Sequence, residues 1–133
     1  MIVVLADSDA ALLDLARDAA ANAYSPYSKV RVGCALQSAT GATYSGCNVE
    51  NASYGLTICA ERNAIFAGVR AEGSGFRIAR LAVIALGLEF PPCGACRQVI
   101  AEFSDCDTPI IFVQNGVPVA RSIGALLPDA FRF

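Results

Sequence analysis

Two short stretches hold the residues with chemical potential. Thr57-Ile58-Cys59-Ala60-Glu61-Arg62 sets a thiol and a carboxylate two residues apart, and Pro92-Cys93-Gly94-Ala95-Cys96-Arg97 contains a C-x-x-C knuckle. Brought together, three thiolates suit a tetrahedral zinc with its fourth position open, the arrangement of catalytic rather than structural zinc sites. A carboxylate beside that position could move the protons of a water. The chain has no histidine. Ser-His-Asp and Cys-His catalysis are thereby removed. Zinc ligands must be Cys, Asp or Glu, and a proton shuttle must be a carboxylate or, less favourably, a Lys or Tyr.

Neither half is decisive alone. A C-x-x-C is equally a redox pair, half of a zinc ribbon, or chance. A redox pair needs no third cysteine at the start of another helix, and a ribbon needs a second C-x-x-C, whereas Cys34, Cys47 and Cys106 are isolated. Three thiolates on Zn²⁺ leave the centre at a net charge of −1, which makes bound water less acidic. Arg62 and Arg97 each follow directly on a half-site. Hydrogen bonds from these guanidiniums to the thiolates would restore acidity; the competing reading makes both ordinary surface ion pairs.

The elements that must position these groups follow from periodicity. Residues 8–23 read as a helix with the apolar stripe Leu12, Leu13, Leu15, Ala16, Ala19 and Ala20, capped by Asp7, Ser8 or Asp9 and broken by Pro26. Tyr24 and Tyr27 either pack over its end or touch substrate. Residues 30–38 alternate as a strand, Thr40-Gly41 turns the chain, and residues 42–47 return as the second strand of a hairpin. Cys34 and Cys47 read as small buried hydrophobes there. The polar segment 47–55 is either a capping loop or a binder of hydroxyls. Residues 58–73 form the central helix, stopped by Gly73 and Gly75, with Cys59 and Glu61 in its first turn. Unpaired N–H groups and partial positive charge at a helix start favour thiolate. Residues 78–86 form a strand covered on both faces, and 94–103 a helix that begins at the C-x-x-C. Residues 109–114 form a fourth strand, Asn115-Gly116 a turn, and 117–121 a candidate fifth strand. The sum is a mixed sheet with helices packed on it.

Composition sets the outer bounds. With 133 residues the chain is read as one domain, 1–133. Its 55% hydrophobic content fits a core plus a buried oligomer interface. No apolar run approaches the roughly 18 residues of a membrane span, and the first five residues show no leader pattern, so the cytoplasm is the expected location. A net charge of −2 with scattered basic residues argues against a large nucleic-acid footprint. Six cysteines without an export signal point to metal binding or buried thiols rather than to disulfides.

The two motifs match, rather than independently establish, the H-x-E…P-C-x-x-C signature of zinc deaminases in its three-cysteine form. Beyond the signature the chain resembles the small homotetrameric cytidine deaminases. The resemblance runs through Ser25-Pro26-Tyr27-Ser28-Lys29, Val32-Gly33-Cys34-Ala35-Leu36, residues 46–62, residues 92–99 and residues 126–131. It implies a three-layer α/β/α fold with a five-stranded mixed sheet. It also implies zinc on Cys59, Cys93 and Cys96, with Glu61 as the proton shuttle. Asn48 and Glu50 are implied to bind ribose, and the Ala60 N–H the base carbonyl. Tyr54 and Phe131 are implied to reach a neighbouring subunit's site in a homotetramer. The expected activity is deamination of cytidine and deoxycytidine. One position departs from the family: Val30 stands where Phe is usual, against the nucleoside. Val has less surface and no ring, which keeps open another cytosine-like nucleoside or aminopyrimidine, aminonucleoside antibiotics included. Asn48-Val49-Glu50 favours ribose. A polynucleotide deaminase conflicts with the acidic balance and short loops, and a non-catalytic zinc module leaves Glu61 without a task.

Overall fold

The computed structural model describes residues 5–133. Residues 1–4, on which most of the leader reading rests, lie outside the described residues. Helix α1 (Ser8–Ala20) is followed by the hairpin β1 (Val32–Ser38) and β2 (Thr43–Cys47), then by the central helix α2 (Ala60–Glu72). Strand β3 (Ile78–Ala85), helix α3 (Gly94–Glu102), strands β4 (Pro109–Gln114) and β5 (Val117–Ser122) and the short helix α4 (Ile123–Leu126) complete the order. The strands form one sheet in the order β2-β1-β3-β4-β5. Only β3 and β4 pair in parallel; the other neighbours are antiparallel.

Strand alternation divides the core into two layers, one on each face of the sheet. Ala35, Ala82, Ile84, Ile111 and Ala120 cluster with Leu12, Leu13 and Ala16 of α1. Cys34, Leu36, Leu81, Val83, Ile110 and Phe112 cluster with Ala60, Ala64 and Ile65 of α2, Ile100 of α3 and Ile123 of α4. The result is the expected α/β/α sandwich. It also explains the apolar run from Leu81 to Ala85 in β3, where Leu81 and Val83 serve one layer and Ala82 and Ile84 the other. The alternation expected for β1 is absent for the same reason: Gly33 and Ala35 lie under α1 and are as buried as Cys34 and Leu36.

Several element ends differ from the sequence reading by one to three residues, and for two of them the cause is visible. Helix α1 stops at Ala20 rather than at residue 23, well before Pro26. The backbone of Tyr24 is drawn away by N–H and C=O bonds to Asn48 and Glu50. Strand β1 starts at Val32 rather than Val30. The Asn48 side chain intervenes, accepting the Val32 N–H at 2.8 Å and donating to the Val30 carbonyl at 2.9 Å.

Close helix–sheet approach is permitted by two glycines. A Cβ on Gly33 would lie 1.8 Å from the Ala16 carbonyl oxygen, and one on Gly46 would lie 2.5 Å from the Ala64 nitrogen. Each glycine thus seats one helix. Polar ties reinforce the seating. Buried Asp9 of α1 accepts Arg80 Nε and a second guanidinium nitrogen at 2.6 and 2.7 Å. Glu72, at the end of α2, accepts the hydroxyls of Ser38, Thr40 and Tyr44 at 2.7, 3.0 and 2.8 Å. We expect Gly33→Ala to destabilise the fold by about 1–3 kcal/mol or more, since overpacking a fixed backbone contact has no cheap relief. Gly55→Ala, with nothing within 4 Å of the new methyl group, is the matched control and should shift stability by less than about 0.5 kcal/mol. Urea unfolding of both variants checks the contrast.

Candidate metal centre and active site

The beginnings of α2 and α3 meet on the side of the sheet away from α1. Cys59 and Cys93 occupy the N-cap positions of these helices with extended backbones, and neither side chain caps its own helix. Both thiols therefore face the gap between the helices. Cys96 follows within the first turn of α3 and is fully buried. The three sulfur atoms lie within 4.8 Å of one another, and Cys59 Sγ is 4.0 Å from Cys93 Sγ. Two thiolates about 2.3 Å from one tetrahedral zinc stand about 3.8 Å apart, so the cluster fits the metal with little adjustment. Cys34 is fully buried elsewhere in the core, its thiol pushed well up by burial first and by the Glu61 carboxylate second.

The charge distribution also calls for a cation. Cys59 is lowered to about 5, chiefly by a hydrogen bond from Cys96, with help from Arg62 and against its own burial. Cys96 is held up by that same neighbour and by burial. The two sulfurs are thus pushed in opposite directions, since one thiolate disfavours a second beside it. Arg62 supplies part of the compensation: a guanidinium nitrogen donates to Cys59 Sγ at 3.2 Å. Its Nε is buried without a partner. Such an orphaned donor is costly unless negative charge gathers beside it, as three thiolates would provide. Arg97 does not share this role. The thiolate contact expected of it is replaced by bonds from Nε to the Pro92 carbonyl at 2.7 Å and from a terminal nitrogen to the Leu126 carbonyl at 2.8 Å. It braces the knuckle rather than tuning it.

Glu61 lies beside the cluster, 3% exposed, with Oε2 accepting the Cys96 thiol at 3.2 Å. Burial pushes its carboxyl above the usual carboxylate range. That is the direction needed for a group that must both take and give a proton near neutrality.

Above the cluster opens a cavity of ≈ 490 Å³. Its lining includes Cys59, Cys93, Glu61, Ala60, Asn48 and Val30, with Val32, Ser28, Thr57, Phe90 and Pro91. An adjoining cavity of ≈ 410 Å³ shares Ser28 and Thr57 and adds Tyr27, Glu50 and Tyr54. The Glu50 carboxylate accepts the backbone N–H groups of Tyr27 and Ser28 at 3.0 and 3.1 Å and the Ser28 hydroxyl. The Ser28 hydroxyl is the main cause of its lowered pKa. Tyr27 stacks edge-on against Tyr54 at 5.9 Å, while Tyr24 lines neither cavity. Phe131 lies apart from the cysteines, against Phe133 and beside Gln98. A larger cavity, ≈ 570 Å³, contains no cysteine and shares only Phe90 with the first. Phe90, Pro91, Ser28 and Thr57 were not singled out as site residues from the sequence. The one available signal was an aromatic residue directly before the Pro-Pro that leads into the knuckle.

Comparison with known proteins agrees with this geometry. The sequence model of the cytidine and deoxycytidylate deaminase zinc-binding region matches residues 6–112. A cytidine deaminase of Sporosarcina psychrophila is 42% identical over 123 residues, covering 90% of this chain and 88% of that protein. One of Mycobacterium tuberculosis is 43% identical, covering 87% and 84%. Among solved structures, cytidine deaminase from Burkholderia pseudomallei superposes with a TM-score of 0.83 at 42% identity, covering 92% of this chain and 98% of that one. The M. tuberculosis enzyme gives 0.82 at 40% identity, covering 97% and 100%. A site of three thiols and a carboxylate at two helix starts, on this fold and with these relatives, places the chain in the cytidine and deoxycytidylate deaminase zinc-binding family.

Proposed function

We propose that this chain hydrolyses cytidine and deoxycytidine to uridine and deoxyuridine with release of ammonia, a step of pyrimidine salvage. The observation that carries the reading is Glu61, a buried carboxylate within hydrogen-bond reach of a three-cysteine cluster at the floor of an open cavity. Cys59, Cys93 and Cys96 are the zinc ligands in this reading, with Arg62 offsetting their charge. Zinc, when bound, supplies Lewis acidity that makes water a usable nucleophile near neutral pH.

The protein's own groups do the rest. Glu61 takes a proton from the attacking water and delivers it to ring N3. As the C4–N bond breaks, Glu61 carries the second proton to the departing amine, so that water and cytidine become uridine and ammonia. Ala60 opens α2, where N–H groups lack helical partners; its N–H is assigned to the base carbonyl oxygen. Asn48 spends one amide hydrogen and one oxygen lone pair on the backbone of β1. A second hydrogen and lone pair are left for a ribose hydroxyl. Glu50, kept ionised by Ser28, is the complementary acceptor. The division of the site into two cavities joined at Ser28 and Thr57 suits a ligand with a base part and a sugar part. Such binding places C4 over the reacting groups before chemistry starts.

The substrate in this reading is a free nucleoside, not a polynucleotide. Assembly as a homotetramer belongs to the same proposal. Tyr54 and Phe131 are 75% and 70% exposed, and Phe131 cannot serve its own site from where it lies. A neighbouring subunit would complete each pocket with Phe131, and Tyr54, which borders its own chain's second cavity, would reach across to that neighbour as well. No helix among the described residues is long and apolar enough to cross a membrane, in keeping with the cytoplasmic location we assign.

Incubating the purified protein with cytidine, and following ultraviolet absorbance beside zinc content, tests the proposal. Conversion with about one zinc per chain is expected; full zinc with untouched cytidine overturns the substrate. Glu61→Gln should retain zinc and lose turnover by at least about 10²-fold, and an active variant would remove Glu61 from the mechanism. Cys93→Ala should lose the metal, as metal analysis of the purified variant would show; a full complement would refute the ligand set.

A further inference from the structure

The lining of the cavity over the cysteines contains a single aromatic residue, Phe90. Its linker is tied down on both sides. The side-chain carboxylate of the preceding residue, Glu89, accepts the Gly116 N–H from the β4–β5 turn at 2.8 Å. Pro91 and Pro92 follow, which fixes two φ angles and holds Phe90 itself extended. The Pro92 carbonyl is then held by Arg97 Nε at 2.7 Å, and the next residue is Cys93. The linker that carries Phe90 is thus held three residues from a cluster cysteine. Even so, Phe90 is 39% exposed. Placement on a held linker without burial is not what core packing asks of a phenyl group.

Phe90 also borders the ≈ 570 Å³ groove formed by Leu86, Leu88 and Arg17 among others, and no other residue is shared by the two cavities. Phe90 therefore stands at the border between them. Deamination reacts at C4, so the ring edge bearing C4 and C5 must approach the cysteines and, with them, the linker that carries Phe90.

We propose that Phe90 is the specificity-determining wall of the base pocket: its ring packs against the pyrimidine and closes the pocket from the neighbouring groove. Cytosine rings enlarged at C5 or N4 are thereby turned away. The inference rests on the reading of the chain as a cytidine deaminase. It also gives Val30 a counterpart, because Val30 lines the same cavity with a short side chain and cannot supply an aromatic face.

The test compares wild type, Phe90→Ala and Phe90→Leu at equal zinc content, with cytidine, N4-methylcytidine and a 5-alkylcytidine as substrates. With Phe90→Ala, KM for cytidine should rise about tenfold, the scale of losing one aromatic–base stack, with kcat less affected. The ratio of kcat/KM for the enlarged substrates to that for cytidine should rise about tenfold, by the same reckoning. Phe90→Leu should fall between, and it carries the test by the same criteria should Phe90→Ala lose zinc or fail to fold. An unchanged KM for cytidine, or an equal fall for all three substrates, overturns the proposal. A zinc-loaded wild type that leaves cytidine intact instead overturns the underlying reading, and this inference with it.

Discussion

Crowding negative charge into one partly buried spot is the constraint on which this molecule depends. Three thiols and a carboxylate converge between two helices, with Cys96 and Glu61 buried. In a low-dielectric setting such groups cannot all ionise without nearby positive charge. The fold brings two sources to the spot. One is the pair of helix starts, whose unpaired N–H groups and dipoles point at the sulfurs. The other is Arg62, one of whose nitrogens has no partner until more charge arrives. A divalent cation completes the balance, and the family's zinc-binding character follows from that balance as much as from the cysteine spacing.

Everything else keeps the two helix starts in register. Helix α2 is held at one end by Glu72 and its three hydroxyls and is let down onto β2 by the missing side chain of Gly46. Helix α1 on the opposite face is seated by Gly33 and by the Asp9–Arg80 pair. The sheet between them carries apolar residues on both faces, so neither helix can move without opening the core. The loop from Asn48 to Glu50 is bound to this frame too, since its side chains hold the backbone around β1 while lining the cavities.

Chemistry was legible in the sequence where it is local. Cys59, Glu61, Cys93 and Cys96 announce themselves because helix starts follow from the flanking prolines and glycines, and a thiol at a helix start has a physical meaning. The convergence of the two starts is a tertiary fact; it came from resemblance, not from periodicity. Arg97 shows the limit. Its place after the knuckle mirrors that of Arg62, but its direction is decided by the carbonyls of Pro92 and Leu126, one of them far along the chain. Gly33 looked like an ordinary polar-side position of a strand, because nothing near it in sequence reveals the helix lying on it. Phe90 was passed over because its one signal, an aromatic residue directly before Pro-Pro, has no periodicity behind it.

The contacts of α3 with the end of the chain bear on synthesis. Arg97 holds the Leu126 carbonyl and Gln98 the Phe131 carbonyl, so the helix holding two of the cysteines is braced by residues 29 and 33 positions further along the chain. A growing chain folds from its N-terminal side first. All three cysteines therefore emerge from the ribosome before their brace has been made. The centre can take its braced form only after this downstream segment has been synthesised.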